Sequence, residues 1–69
     1  MTRIDACGRA CPEPVLMTKQ ALKASAEGAI VLVDNATAQG NVTRFAQNNG
    51  YQVRTEEAAG VYTLTISKA

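Results

Sequence analysis

The spacing of apolar residues changes several times along the chain, and each change marks an element. Arg3-Ile4-Asp5-Ala6 can form a short first strand, with Gly8 offering the turn that ends it. From Pro12 to about Ala26 the residues are good helix formers, with no glycine among them. At 100° per residue Pro14, Val15, Thr18, Ala21, Leu22 and Ser25 fall on one side and are expected to face a core. Glu13, Leu16, Gln20, Lys23 and Ala24 lie opposite, with Met17 towards that outer side, and Gly28 is expected to cap the helix at its C-terminal end.

Ala29-Ile30-Val31-Leu32-Val33 is apolar without alternation, which predicts a strand covered on both sides or central in a sheet. Asp34-Asn35 ends it and caps a second helix from about Ala36 to Asn49. Ala38, Val42, Phe45, Ala46 and Asn49 share one face of that helix, Gly40 weakens its first turn, and Asn49-Gly50 stops it. Tyr51–Glu56 and Val61–Ser67 alternate as half-buried strands do, joined by the short connection Glu57-Ala58-Ala59-Gly60. The order is β-α-β-α-β-β. A polar face on the late strands places both helices on the other face, giving an α+β fold: a two-layer α/β sandwich with a four-stranded mixed sheet.

The chain has 69 residues, enough for one domain over 1–69 that buries only about 60% of its unfolded surface. With one Phe, two Tyr and no Trp, the core must be built from Val, Leu, Ile and Ala. A formal net charge of +1 gives no general attraction to nucleic acid or to anionic lipid. Met1-Thr2-Arg3-Ile4-Asp5 has no apolar run behind its charge, so no signal peptide is expected, and Ala29–Val33 is far too short to span a membrane. Two cysteines do not make a disulfide scaffold, and a cytoplasmic protein with reduced thiols is expected.

Those cysteines lie in Asp5-Ala6-Cys7-Gly8-Arg9-Ala10-Cys11-Pro12-Glu13-Pro14, which also holds both prolines. Proline is favoured at the first helical position, where its missing N–H would have no partner. That makes Cys11 the expected N-cap, its sulfur near the positive end of a helix dipole and easier to ionise. The same prolines leave the sulfur chiefly the amide of Glu13, whose carboxylate opposes ionisation. Rigid presentation of Cys11 is therefore expected to count for more than a lowered pKa.

Asp5-x-x-Gly8-x-x-Cys11-Pro12-Glu13-Pro14-Val15 followed by Lys19-x-x-Leu22 resembles the TusA/SirA/YedF family of small sulfur-handling proteins. Leu32-Val33-Asp34-Asn35 with Asn41-Val42-x-Arg44-Phe45-Ala46 resembles its YedF-like branch, associated by name with selenium metabolism. The resemblance implies a sulfurtransferase-like carrier holding sulfane sulfur as a persulfide on Cys11. It implies a protein donor, such as a cysteine desulfurase or a rhodanese-like enzyme, and a protein acceptor, with Gly8, Pro12, Glu13 and Pro14 supporting the motif. No cofactor is expected, and near-zero net charge speaks against direct contact with nucleic acid. Longer YedF-type proteins carry a second domain, and functions that need it are not expected of residues 1–69. Cys7 and Arg9 depart from the family pattern.

Cys7 has three readings: a small apolar filler, a thiol that resolves a persulfide or pairs with Cys11, or a metal ligand. Two thiols and no histidine leave a tetrahedral zinc site half empty, so no metal is expected. Arg9 either steers anionic partners or is a plain loop arginine, and Lys19 and Lys23 read as a solvated helix face. Leu16 and Met17 project away from the core beside the motif and could form a docking patch. Two other functions compete with the carrier: a thiol–disulfide protein or sensor using Cys7 and Cys11, and an RNA-binding module on a small α/β sandwich. The C-x-x-x-C spacing is not that of thioredoxin-like proteins, and three aromatics with no basic cluster speak against RNA.

Overall fold

Residues 2–8 and 13–68 are described in the computed structural model. Within them the order is β1 (Thr2–Asp5), α1 (Glu13–Ala24), β2 (Gly28–Val33), α2 (Ala36–Asn48), β3 (Tyr51–Ala58) and β4 (Val61–Lys68). The four strands form one sheet in the order β1-β2-β4-β3. β1 runs parallel to β2, while β4 lies antiparallel to both β2 and β3. This is the two-layer α+β architecture expected from periodicity, with β2 in the interior of the sheet.

Register explains which side is covered. Ile4 lies across from Val31 and Val31 from Leu64, while Ala29 lies across from Ile66 and Ile66 from Val53. α1 packs on β1 and β2, α2 on β3 and β4, and the two helices touch each other. Ala29, Val31, Val33, Leu64, Ile66, Val42 and Ala46 become inaccessible to solvent between the layers. Alternate residues Arg3, Ile30, Thr65 and Arg54 form the outer face. Ile30 and Leu32 are half-buried there, screened by strands on both flanks, which is why β2 shows no alternation.

Several boundaries differ from the sequence reading, each for a physical reason. The first strand starts at Thr2 and ends at Asp5, one residue earlier than expected at each end, because pairing begins at Thr2 opposite Ala29. α1 stops at Ala24, and Gly28 is the first residue of β2, not a helix cap. The backbone of β4 comes so close to Gly28 (φ +146°) that a Cβ there would overlap the Ile66 carbonyl oxygen. Met17 is half-buried against the core, since α1 touches β1, β2 and α2 and its covered face is wider than one projected stripe. Asn49, expected on the covered face of α2, is exposed as its C-cap. The hairpin turn shrinks to Ala59-Gly60, both at positive φ, so β3 runs on to Ala58.

Candidate functional site

β1 and β2 are parallel, so both end at the same edge of the sheet, and the loops that follow them lead into α1 and α2. In sheets with such crossovers that edge is where ligand-handling loops gather. The chain leaves β1 in a fixed path. The Ala6 N–H donates to the Leu32 carbonyl at 2.8 Å, prolonging the ladder by one residue, and Ala6 is buried. The Cys7 N–H donates to Asp5 Oδ1 at 3.0 Å. The Gly8 N–H, in a turn at φ +77°, donates to Asp34 Oδ2 at 2.9 Å.

Asp34 is shared between elements. Its Oδ1 accepts from Asn35 Nδ2 at 3.2 Å, and Asn35 Oδ1 caps α2 by accepting from the Ala38 N–H at 2.7 Å. Donor–acceptor contacts therefore run from the turn after β1 to the first turn of α2. Sequence reasoning took Asp34 only as a strand end. The available signal was a carboxylate at the end of a strand parallel to β1, level with the glycine turn.

On the far side of the motif α1 is seated by Pro14, whose side chain is fully buried. The Pro14 carbonyl accepts a hydrogen bond from Thr18 Oγ1 at 2.8 Å, which satisfies the buried threonine within the helix. Pro14 needs no N–H partner in the first turn, and its ring fixes φ there. Glu13 is exposed at the helix start. Arg9, Cys11 and Pro12 lie outside the described residues. The segment 9–12 is bracketed by Gly8, tied to Asp34, and by Pro14, set in the core.

Cys7 is half-buried, with Asp5 and Asp34 as its charged neighbours. Desolvation, the hydrogen bond to Asp5 and the charges of Asp5 and Asp34 all push its pKa above the ordinary cysteine value. Cys7 is thus held as a neutral thiol at neutral pH, the less reactive form. Among the described residues no group of three His, Cys, Asp or Glu side chains could hold a metal ion. No helix among them is long and apolar enough to cross a membrane.

Leu16 is half exposed, at 50%, three residues beyond the start of α1, while Met17 turns inward. Lys19 and Lys23 are exposed on α1 and line an open groove of about 420 Å³ with Leu22, Phe45, Asn49 and Tyr51. The Tyr51 hydroxyl is anchored on the Ala26 carbonyl at 3.0 Å. The sequence reading of these lysines as a plain solvated face missed that groove, which forms only once α2 lies beside α1.

Fold and site together define a small two-layer α+β domain whose sequence carries Cys11-Pro12 between its first strand and first helix. The family model described as sulfurtransferase TusA matches residues 2–68, and the chain belongs to the TusA family. A protein of Methanocaldococcus jannaschii, provisionally named a sulfur carrier protein, is 42% identical over 71 residues, covering 99% of this chain and 95% of the relative. The crystal structure of a SirA-like protein from Desulfitobacterium hafniense superposes with a TM-score of 0.88 at 39% identity. That match covers 97% of this chain and 96% of the other.

Proposed function

We propose that the protein carries sulfane sulfur as a persulfide on Cys11, between a donor such as a cysteine desulfurase or rhodanese-like enzyme and an acceptor protein in the cytoplasm. The observation that carries this reading is the family match over residues 2–68, which includes Cys11-Pro12-Glu13-Pro14, the last two of which open α1. The Cys11 thiolate attacks the outer sulfur of the donor's persulfide. The donor's S–S bond breaks as the new one forms on Cys11, the donor cysteine leaves as thiolate, and the proton lost by Cys11 goes to it. No net oxidation occurs. An acceptor thiolate takes the outer sulfur from Cys11 by the same exchange.

Such a step needs alignment of two sulfurs more than a general acid or base, and the chain has no histidine. Pro14 supplies part of that alignment by fixing the start of α1. Exposed Leu16 and the groove beside Lys19 and Lys23 offer surface on which a larger partner can rest.

A Cys7–Cys11 redox couple is disfavoured by the surroundings of Cys7, since a thiol whose pKa is raised by desolvation and by the charges of Asp5 and Asp34 is slow to attack a disulfide or persulfide. Labelled sulfur transfer from a desulfurase to an acceptor, measured with Cys11→Ser and Cys7→Ser proteins, tests the choice. Loss with Cys11→Ser and retention with Cys7→Ser is the carrier result. Loss with both is the redox result.

A further inference from the structure

We propose that Asp34 is a positioning residue for Cys11, acting through the amide of Gly8 three residues before it; this rests on the carrier reading above. Asp34 lies 26 positions beyond Gly8, yet its carboxylate accepts the Gly8 N–H at 2.9 Å. Gly8 is three residues from Cys11, a reach of at most about 11 Å along the chain. On the helix side the next buried residue is Pro14; on the strand side the Asp5 carboxylate takes the Cys7 amide, and Asp34 takes the Gly8 amide from across the sheet. Its second oxygen meets Asn35, whose side chain caps α2. The loop and the first turn of α2 therefore share one carboxylate, and pressure on either by a docking partner reaches the other.

The carboxylate has two separable properties, and substitutions split them. Asp34→Asn removes the charge but keeps an oxygen for the Gly8 amide. Asp34→Ala removes both. Asn35 keeps its bond to Ala38 in either protein, so α2 stays capped.

The test compares wild type, Asp34→Asn and Asp34→Ala, all with Cys7→Ser so that one thiol reports. Three readouts are taken: backbone NMR order parameters at Gly8, the pH profile of Cys11 alkylation, and sulfur loading by a cysteine desulfurase. In Asp34→Ala the Gly8 order parameter should fall from the rigid range near about 0.85 towards about 0.6. Loading kcat/KM should drop about five- to tenfold, the net worth of one ordinary hydrogen bond at a solvent-exposed turn. Asp34→Asn should recover most of the loading and the order at Gly8. Both variants should move the alkylation midpoint downward, since each removes the negative charge held at the Gly8 amide, three residues from Cys11 along the chain. Equal loading and equal Gly8 order in wild type and Asp34→Ala overturns the proposal, as does an Asp34→Asn protein no better than Asp34→Ala. A wild type that does not load while Gly8 still loosens in Asp34→Ala overturns the carrier reading and leaves the tie standing.

Discussion

Replacing Gly28 by alanine tests how closely the sheet is built, and the same change at Gly40 supplies its control. Gly28 opens β2 at φ +146°, opposite Ser67, and a Cβ there would overlap the Ile66 carbonyl and sit 3.1 Å from Ser67 Cα. Both neighbours are backbone, so neither can rotate away. A non-glycine residue in such a conformation costs about 1–3 kcal/mol. Forcing the two central strands apart adds about 1–3 kcal/mol of overpacking. A 69-residue domain has roughly 3–10 kcal/mol to lose. With a urea dependence near about 1 kcal/mol/M, the midpoint should fall by about 2 M or more, or the cooperative transition should vanish. Gly40 lies inside α2 with open space where a Cβ would go, so Gly40→Ala should gain about 0.5–1 kcal/mol and raise the midpoint. Urea unfolding followed by circular dichroism reads both. A Gly28→Ala protein within about 0.5 kcal/mol of wild type would refute the close approach of β2 and β4.

Other outcomes follow from exposed or charged groups. Leu16→Glu should leave thermal stability unchanged, because the side chain is half exposed, and should weaken desulfurase-dependent loading by about fivefold through lost partner contact; titration of the loading rate against donor concentration checks it. In a Cys11→Ser protein, alkylation of Cys7 should accelerate only above the pH range of a free cysteine, and Asp5→Asn should bring that midpoint down. A midpoint below that of free cysteine would contradict the placement of Asp5 and Asp34 around the thiol. By linkage, the raised Cys7 pKa contributes stability that is complete below the unfolded-state value and is lost as pH climbs through the folded one, so alkaline titration should destabilise the protein less once Cys7 is changed to Ser. Ala59, at φ +52° in the two-residue turn, should gain stability on replacement by glycine or asparagine, read as a higher melting temperature.

Element type and order were legible from the 3.6-residue stripe of Thr18, Ala21 and Leu22, the alternation of Leu64 and Ile66, and the unbroken apolar run of β2. What the chain alone could not show was anything set by approach between distant segments. Gly28 reads equally well as a helix cap or a strand start until β4 is laid against it. Met17 projects outward on an isolated helix and inward once α2 lies beside α1. The motif itself was visible as residues, whereas its tie to Asp34 spans 26 positions and depends on β1 and β2 ending level. The raised pKa of Cys7 likewise comes partly from Asp34, a charge that sequence distance hides.

The central claim is that Cys11 carries sulfur, and one measurement meets it directly. The protein is incubated with a cysteine desulfurase and cysteine, digested without reductant, and the peptide containing Cys11 is weighed by mass spectrometry. One added sulfur on Cys11, with none on Cys7, is the result predicted here. An unmodified Cys11 peptide, under conditions that load an established carrier, would contradict it.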